Sequence, residues 1–156
     1  MIDTCTYLLY DTDDVEIPCA GVLHDILEDT SYSEVMLQSV FGDRVFSLVS
    51  FCTEPLNFVG LSDSDLRNSW KERKLHSINK LDSASVEECL VFCCDKLSTL
   101  LSIKEDLLNN INIWESLRGS KEDVFWYYSP VKEKLEKKIG GTRIFKIYVS
   151  LLDEIF

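Results

Sequence analysis

Chain breakers are scarce in this sequence, and that scarcity limits its fold more than any other feature. Six Gly and three Pro stand in 156 residues, about half the roughly 12% that average usage supplies. A sandwich or barrel of short strands needs turn residues at close intervals, which are missing here. Between the breakers apolar residues recur at helical spacing, and no run alternates with period two. The expectation is an all-α helical bundle.

The spacing predicts helices over Thr4–Tyr10, which runs into the acidic turn Asp11-Thr12-Asp13-Asp14, and over Glu16–Glu28 with Pro18 in its first turn. Ser31-x-x-Glu34 reads as a capping box that opens a short helix stopping near Gly42, and Asp43–Thr53 follows until Glu54-Pro55 breaks it. A loop over 56–62 precedes a polar helix over Asp63–Leu81 that carries Trp70. Ser85-x-x-Glu88 is a second capping box, opening the longest apolar helix from Val86 to Leu101 with an extension toward Leu108. Trp114 and Leu117 come before the Gly119-Ser120 break, and Gly140-Gly141 divides the last two helices, Glu122–Lys138 and Thr142–Phe156.

Sixteen basic against 27 acidic residues give a net charge of −11. With a pI near 4.6, no DNA or RNA is expected as partner, because phosphate binding needs a basic stripe. No apolar run approaches the roughly 20 residues of a membrane span, and Met1-Ile2-Asp3-Thr4 has no basic leader. A hydrophobic share of 46% with 28% charged reads as one soluble cytoplasmic domain over 1–156, with no membrane partner. The six cysteines, Cys5, Cys19, Cys52, Cys89, Cys93 and Cys94, lie in apolar company without a C-x-x-C pair. They read as buried reduced thiols rather than as a disulfide frame or a zinc site.

Polarity runs against the pattern in two places. His24, Asp25, Glu28 and Asp29 interrupt an apolar helix. At three- and four-residue spacing they share one face, where adjacent carboxylates repel unless a cation or proton offsets them. Asp95 stands inside the most hydrophobic helix, where a carboxylate is costly unless paired or metal-bound. Each has a plain structural reading: a hydrogen-bonded core histidine, a solvated helix end, an Asp95–Lys96 pair. Taken together they form a mixed nitrogen and oxygen set suited to a divalent metal.

The segment Ala20-Gly21-Val22-Leu23-His24-Asp25-Ile26-Leu27-Glu28-Asp29-Thr30 resembles the HDxxEDT signature of HD-domain phosphohydrolases, in their RelA/SpoT-like (p)ppGpp hydrolase branch. The resemblance continues in order through Phe41-Gly42-Asp43-Arg44-Val45, Val49–Glu54, Trp70-Lys71-Glu72-Arg73-Lys74, Cys94-Asp95-Lys96-Leu97 and Trp126-Tyr127-Tyr128. It implies a helical bundle in which His24, Asp25 and Asp95 hold a divalent metal, manganese in this branch. Glu28 and Asp29 would activate the attacking water, and Lys96 and Thr99 would contact the substrate. The family places another ligand His roughly 25 residues before the HD pair. Counting back from His24 reaches the start of the chain, so the domain reads as N-terminally short. His76, the other histidine, reads chiefly as a surface residue. Thr99 stands where alarmone hydrolases carry Asn.

Three functions are carried forward. The first is a metal-dependent phosphohydrolase of a nucleotide (pyro)phosphate such as guanosine 3′,5′-bis(diphosphate), with Lys96, Arg44 and Arg73 offsetting substrate charge locally. The second is a non-catalytic nucleotide- or protein-binding module, with an exposed apolar patch inviting a homodimer. The third is a structural remnant whose acids merely pair with bases.

Overall fold

The computed structural model describes residues 2–54 and 62–156. Most of the expected 56–62 loop lies outside them, as does Pro55. No strand occurs among the described residues, and the elements are helical: α1 (Ile2–Leu8), α2 (Glu16–Leu23), α3 (Ile26–Asp29), α4 (Glu34–Cys52), α5 (Asp63–Asn68), α6 (Trp70–Lys80), α7 (Val86–Leu108), α8 (Lys121–Ile139) and α9 (Arg143–Ile155), with a 3₁₀ turn at Ile113–Glu115. The all-α expectation holds.

Helix α7 is the axis of the bundle. It packs against α1, α2, α4, α8 and α9 and buries Cys89 to Cys94, Leu97, Leu100 and Ile103. A helix apolar on all sides needs neighbours on all sides. Its start follows the predicted capping box: Ser85 Oγ accepts from the Glu88 N–H at 3.1 Å, and Glu88 accepts from the Ser85 N–H at 2.7 Å. Two boxes not foreseen, Ser62 with Asp65 and Ser120 with Asp123, open α5 and α8.

Three expected boundaries move. The cap of α4 is Ser33 rather than Ser31. Thr30 is still turning the chain there, donating to the Ile26 carbonyl at 2.6 Å and accepting from the Tyr32 N–H at 3.0 Å. The expected division at Gly42 is a break inside α4, with φ 86°, a conformation that glycine adopts without strain. The polar helix over Asp63–Leu81 is two helices meeting at Ser69. At the other end of the molecule, Asp11 accepts from the N–H groups of Arg143 and Ile144 at 2.6 and 2.7 Å. That contact satisfies two orphan donors of α9 and pins the end of α1 to it.

Helix α4, with 19 residues, has the length and composition of a membrane span, which corrects the expectation that no apolar run does. It breaks at Gly42, carries Asp43 and Arg44, and turns Leu37, Val45, Leu48, Val49 and Cys52 into the core.

Candidate metal centre and adjoining anion pocket

The HD pair sits where α2 stops. The His24 Nδ1 donates to the Gly21 carbonyl at 2.8 Å, a carbonyl that the next turn of helix would otherwise use. Asp25 sits at the edge of the right-handed helical region at φ −94° and ψ 0°, and α3 starts afresh at Ile26. One continuous helix over Glu16–Glu28 is therefore replaced by two with a corner at His24-Asp25.

That corner turns the imidazole inward, where it is 4% exposed. With Nδ1 engaged, Nε2 faces the Asp25 Oδ2 at 2.9 Å and the Asp95 Oδ1 at 3.5 Å. The other Asp95 oxygen pairs with the Lys96 Nζ at 2.6 Å. Burial disfavours a charged imidazole, but the Asp25 and Asp95 carboxylates outweigh it and hold His24 up at about 10. Burial likewise opposes ionisation of Asp95, and Lys96 and His24 win, keeping its carboxyl well below the usual carboxylate range.

The remaining expected residues are less concentrated. Glu28 accepts from the Glu54 N–H at 2.7 Å, which ties α3 to the end of α4. Burial raises its pKa; that N–H pulls it down, while the Glu54 and Asp25 carboxylates push it up. Asp29 lies on the same turn but is exposed. The Thr99 hydroxyl contacts the Asp95 carbonyl at 3.4 Å, one turn further along α7. His76 is exposed on α6, beside Glu54 and Lys80.

The donor chemistry suits a divalent ion. It offers one imidazole nitrogen with its tautomer set by a carbonyl, and two carboxylates. No three His, Cys, Asp or Glu side chains among the described residues are spaced to enclose an ion as they stand. His24 lies between Asp25 and Asp95, and Lys96 pairs with the other oxygen of Asp95.

Beyond Lys96 opens a cavity of about 220 Å³, lined by Trp70, Arg73, Lys74, Lys96, Thr99, Ser116, Leu117, Arg118, Val124, Tyr127 and Tyr128. Four cations and three aromatic rings line it, with no carboxylate among the described lining residues, in a chain of net charge −11. Glu54 stands behind the wall, joined to Arg73 and, at 2.7 Å, to Lys74. Arg73 also donates to the Leu66 carbonyl at 3.0 Å. Burial and the nearby Lys96 lower the Lys74 pKa, opposed by Glu54. The Lys74 ammonium lies 5.2 Å from the Tyr127 ring centre, and Lys96 5.1 Å from that of Phe92. Arg73 and Lys74 stood in the sequence as part of a motif, but Arg118 had no signal, since it reaches the cavity from an irregular segment. Arg44, expected as a local base for substrate, is elsewhere, clasped by Asp14, Glu16 and Glu87.

No family model matches the sequence. The chain is 28% identical over 141 residues to a Mycoplasma pneumoniae protein named "Probable guanosine-3′,5′-bis(diphosphate) 3′-pyrophosphohydrolase". The match covers 88% of this chain and only 17% of that protein. Among solved structures it is similar to lmo0812 of Listeria monocytogenes EGD-e, with TM-score 0.79 and 29% identity over 98% of this chain and 90% of that one. A metazoan ortholog of SpoT, which hydrolyzes ppGpp and plays a role in starvation responses, matches with TM-score 0.69 and 26% identity, over 99% and 76% of the two chains. With the motif order and the all-helical bundle, these likenesses, at 26–29% identity, support reading the chain as an HD-domain, (p)ppGpp hydrolase-like protein.

Proposed function

We propose that the chain is a metal-dependent phosphohydrolase acting on a nucleotide (pyro)phosphate, with guanosine 3′,5′-bis(diphosphate) as the substrate to try first. The observation that carries this reading is the meeting of His24, Asp25 and Asp95 beside a cavity lined by cations and aromatic rings. A nucleotide polyphosphate offers both the negative charge and the flat ring that such a cavity accommodates.

His24, Asp25 and Asp95 would hold the ion, and manganese suits their mixed donors. When bound, a divalent ion there neutralises phosphoryl charge and acidifies water. Lys96 and Lys74 bind phosphate oxygens as point charges, and the Thr99 hydroxyl contacts a sugar hydroxyl. Glu28, whose pKa burial has raised, takes the proton of the attacking water, with Asp29 on the same turn orienting that water. The P–O bond opposite the incoming oxygen breaks: the nucleoside 3′-oxygen leaves in line and takes up a proton from solvent, and the attacked group departs as pyrophosphate carrying the water oxygen.

A non-catalytic binding module is favoured by one observation: Lys96 already occupies the Asp95 carboxylate, so charge balance there does not require a metal. A single series separates the two. Chelated protein is melted with and without Mn²⁺, its metal content is measured, and release of pyrophosphate from guanosine 3′,5′-bis(diphosphate) is followed. A Mn²⁺-dependent rise in Tm that Asp25→Ala removes, with turnover, supports the enzyme. No shift, no bound metal and no turnover overturn it in favour of the module.

A further inference from the structure

Cys5 on α1 and Cys94 on α7 are 89 positions apart, yet their sulfurs lie 3.3 Å from each other in the core. They are 3% and 1% exposed. We propose that Cys5 and Cys94 are an oxidisable pair, which a peroxide-class oxidant joins into a disulfide that staples α1 to α7 beside the HD corner.

Three features support this. A disulfide needs sulfurs about 2.05 Å apart, so the pair closes by little more than an ångström. Asp11 anchors the end of α1 to α9, so the approach of Cys5 to α7 is held from outside the pair. Gly21 lies against both sulfurs: a Cβ there would come within 3.1 Å of the Cys5 Sγ and 3.6 Å of the Cys94 Sγ. The carbonyl of the same Gly21 holds His24, and Cys94 immediately precedes Asp95. The staple therefore fixes the two backbone segments that carry the imidazole and the distant carboxylate.

The chemistry balances without a further reagent. One cysteine, having lost its proton to water, attacks a peroxide oxygen; the O–O bond breaks, water leaves and the sulfur becomes a sulfenic acid. The second thiol attacks that sulfur, the S–S bond forms, and the S–O bond breaks with loss of a second water. In sum the thiols give up two protons and two electrons, and one hydrogen peroxide becomes two waters. Burial of both sulfurs restricts the oxidant to a small uncharged molecule.

The test uses the full chain with hydrogen peroxide, quenched, denatured and alkylated before peptide mapping without reductant. The expected result is a mass loss of two hydrogen atoms, one linked peptide pair containing Cys5 and Cys94, and a Tm above that of the reduced protein that dithiothreitol returns to its starting value. Cys5→Ser abolishes the link and the Tm rise, whereas Cys19→Ser keeps both. Mapping of the unsubstituted chain decides the matter even where a variant does not fold. Cys5 and Cys94 both recovered alkylated, either carrying extra oxygen, or either linked to another cysteine would overturn the proposal.

Discussion

Arg44 and His24 each stand among carboxylates, one at the surface and one beneath it. Arg44 spans Asp14, Glu16 and Glu87, and all four side chains are more than a third exposed. It draws the start of α2 and the start of α7 onto α4. Water and salt screen such a cluster, and losing a partner leaves the others solvated. The His24 imidazole is 4% exposed and Asp95 15%. Asp25, at 38%, is at the rim, but His24 and Asp95 have little water to turn to, so their charges depend on each other. Similar counts of opposite charge thus make a clamp in one place and, in the other, a site where a bound cation has something to replace.

Asp95→Ala breaks the contrast most severely. It leaves the mostly buried Lys96 without its carboxylate and His24 with Asp25 alone, and should cost about 3–5 kcal/mol in denaturant unfolding, along with any Mn²⁺-dependent rise in Tm. A loss no larger than that of Arg44→Ala would show that the two clusters are equivalent. Next in size, Glu28→Ala with Asp29→Ala should lower turnover at least about 100-fold, with the circular dichroism spectrum unchanged. Full activity in that double variant would remove the water-activating assignment. Lys74→Ala with Arg118→Ala should weaken nucleotide binding about tenfold in calorimetry, each lost phosphate contact being worth a fraction of that, while Arg44→Ala leaves it unchanged.

Smaller effects sharpen the boundary between the clusters. Partly buried Glu54 is held below its ordinary pKa: burial alone would raise it, and Lys74 and Arg73 outweigh burial. A carboxyl depressed in the folded state adds stability that is complete above the unfolded value of about 4.3. That stability is lost as pH falls through the folded value. Glu54→Gln should therefore lower stability at pH 7 by about 1–2 kcal/mol and flatten the acid limb of a Tm–pH curve. Least of all, Arg44→Ala should give a small drop in Tm that shrinks as salt is raised from low to high.

Much of the site was legible because it violates the helical pattern. Asp95 stood out in an apolar helix, and the HD pair did so in another. Their meeting was not legible, since the 70 positions between His24 and Asp95 carry no record of distance. The corner at His24-Asp25 was also hidden. Helical spacing gave no reason to stop at Leu23, and the stop comes from a side chain taking a backbone carbonyl. Ser31 fits the capping pattern for α4 because that pattern counts residues, whereas the choice of Ser33 follows from the turn closed by Thr30.

By itself the sequence determined the helical class, the long α7 with its cap at Ser85, and which carboxylates had to find partners. Those follow from local propensity and from the cost of burying charge, both of which act over a few residues. Tertiary structure alone decided that Asp95 shares its two oxygens between His24 and Lys96, and that Arg44 is a surface clamp while Arg118 faces the cavity. It also decided that Cys5 meets Cys94 over Gly21. These depend on how helices cross. Crossing is set by the packing of the whole core, and no window of the chain contains it.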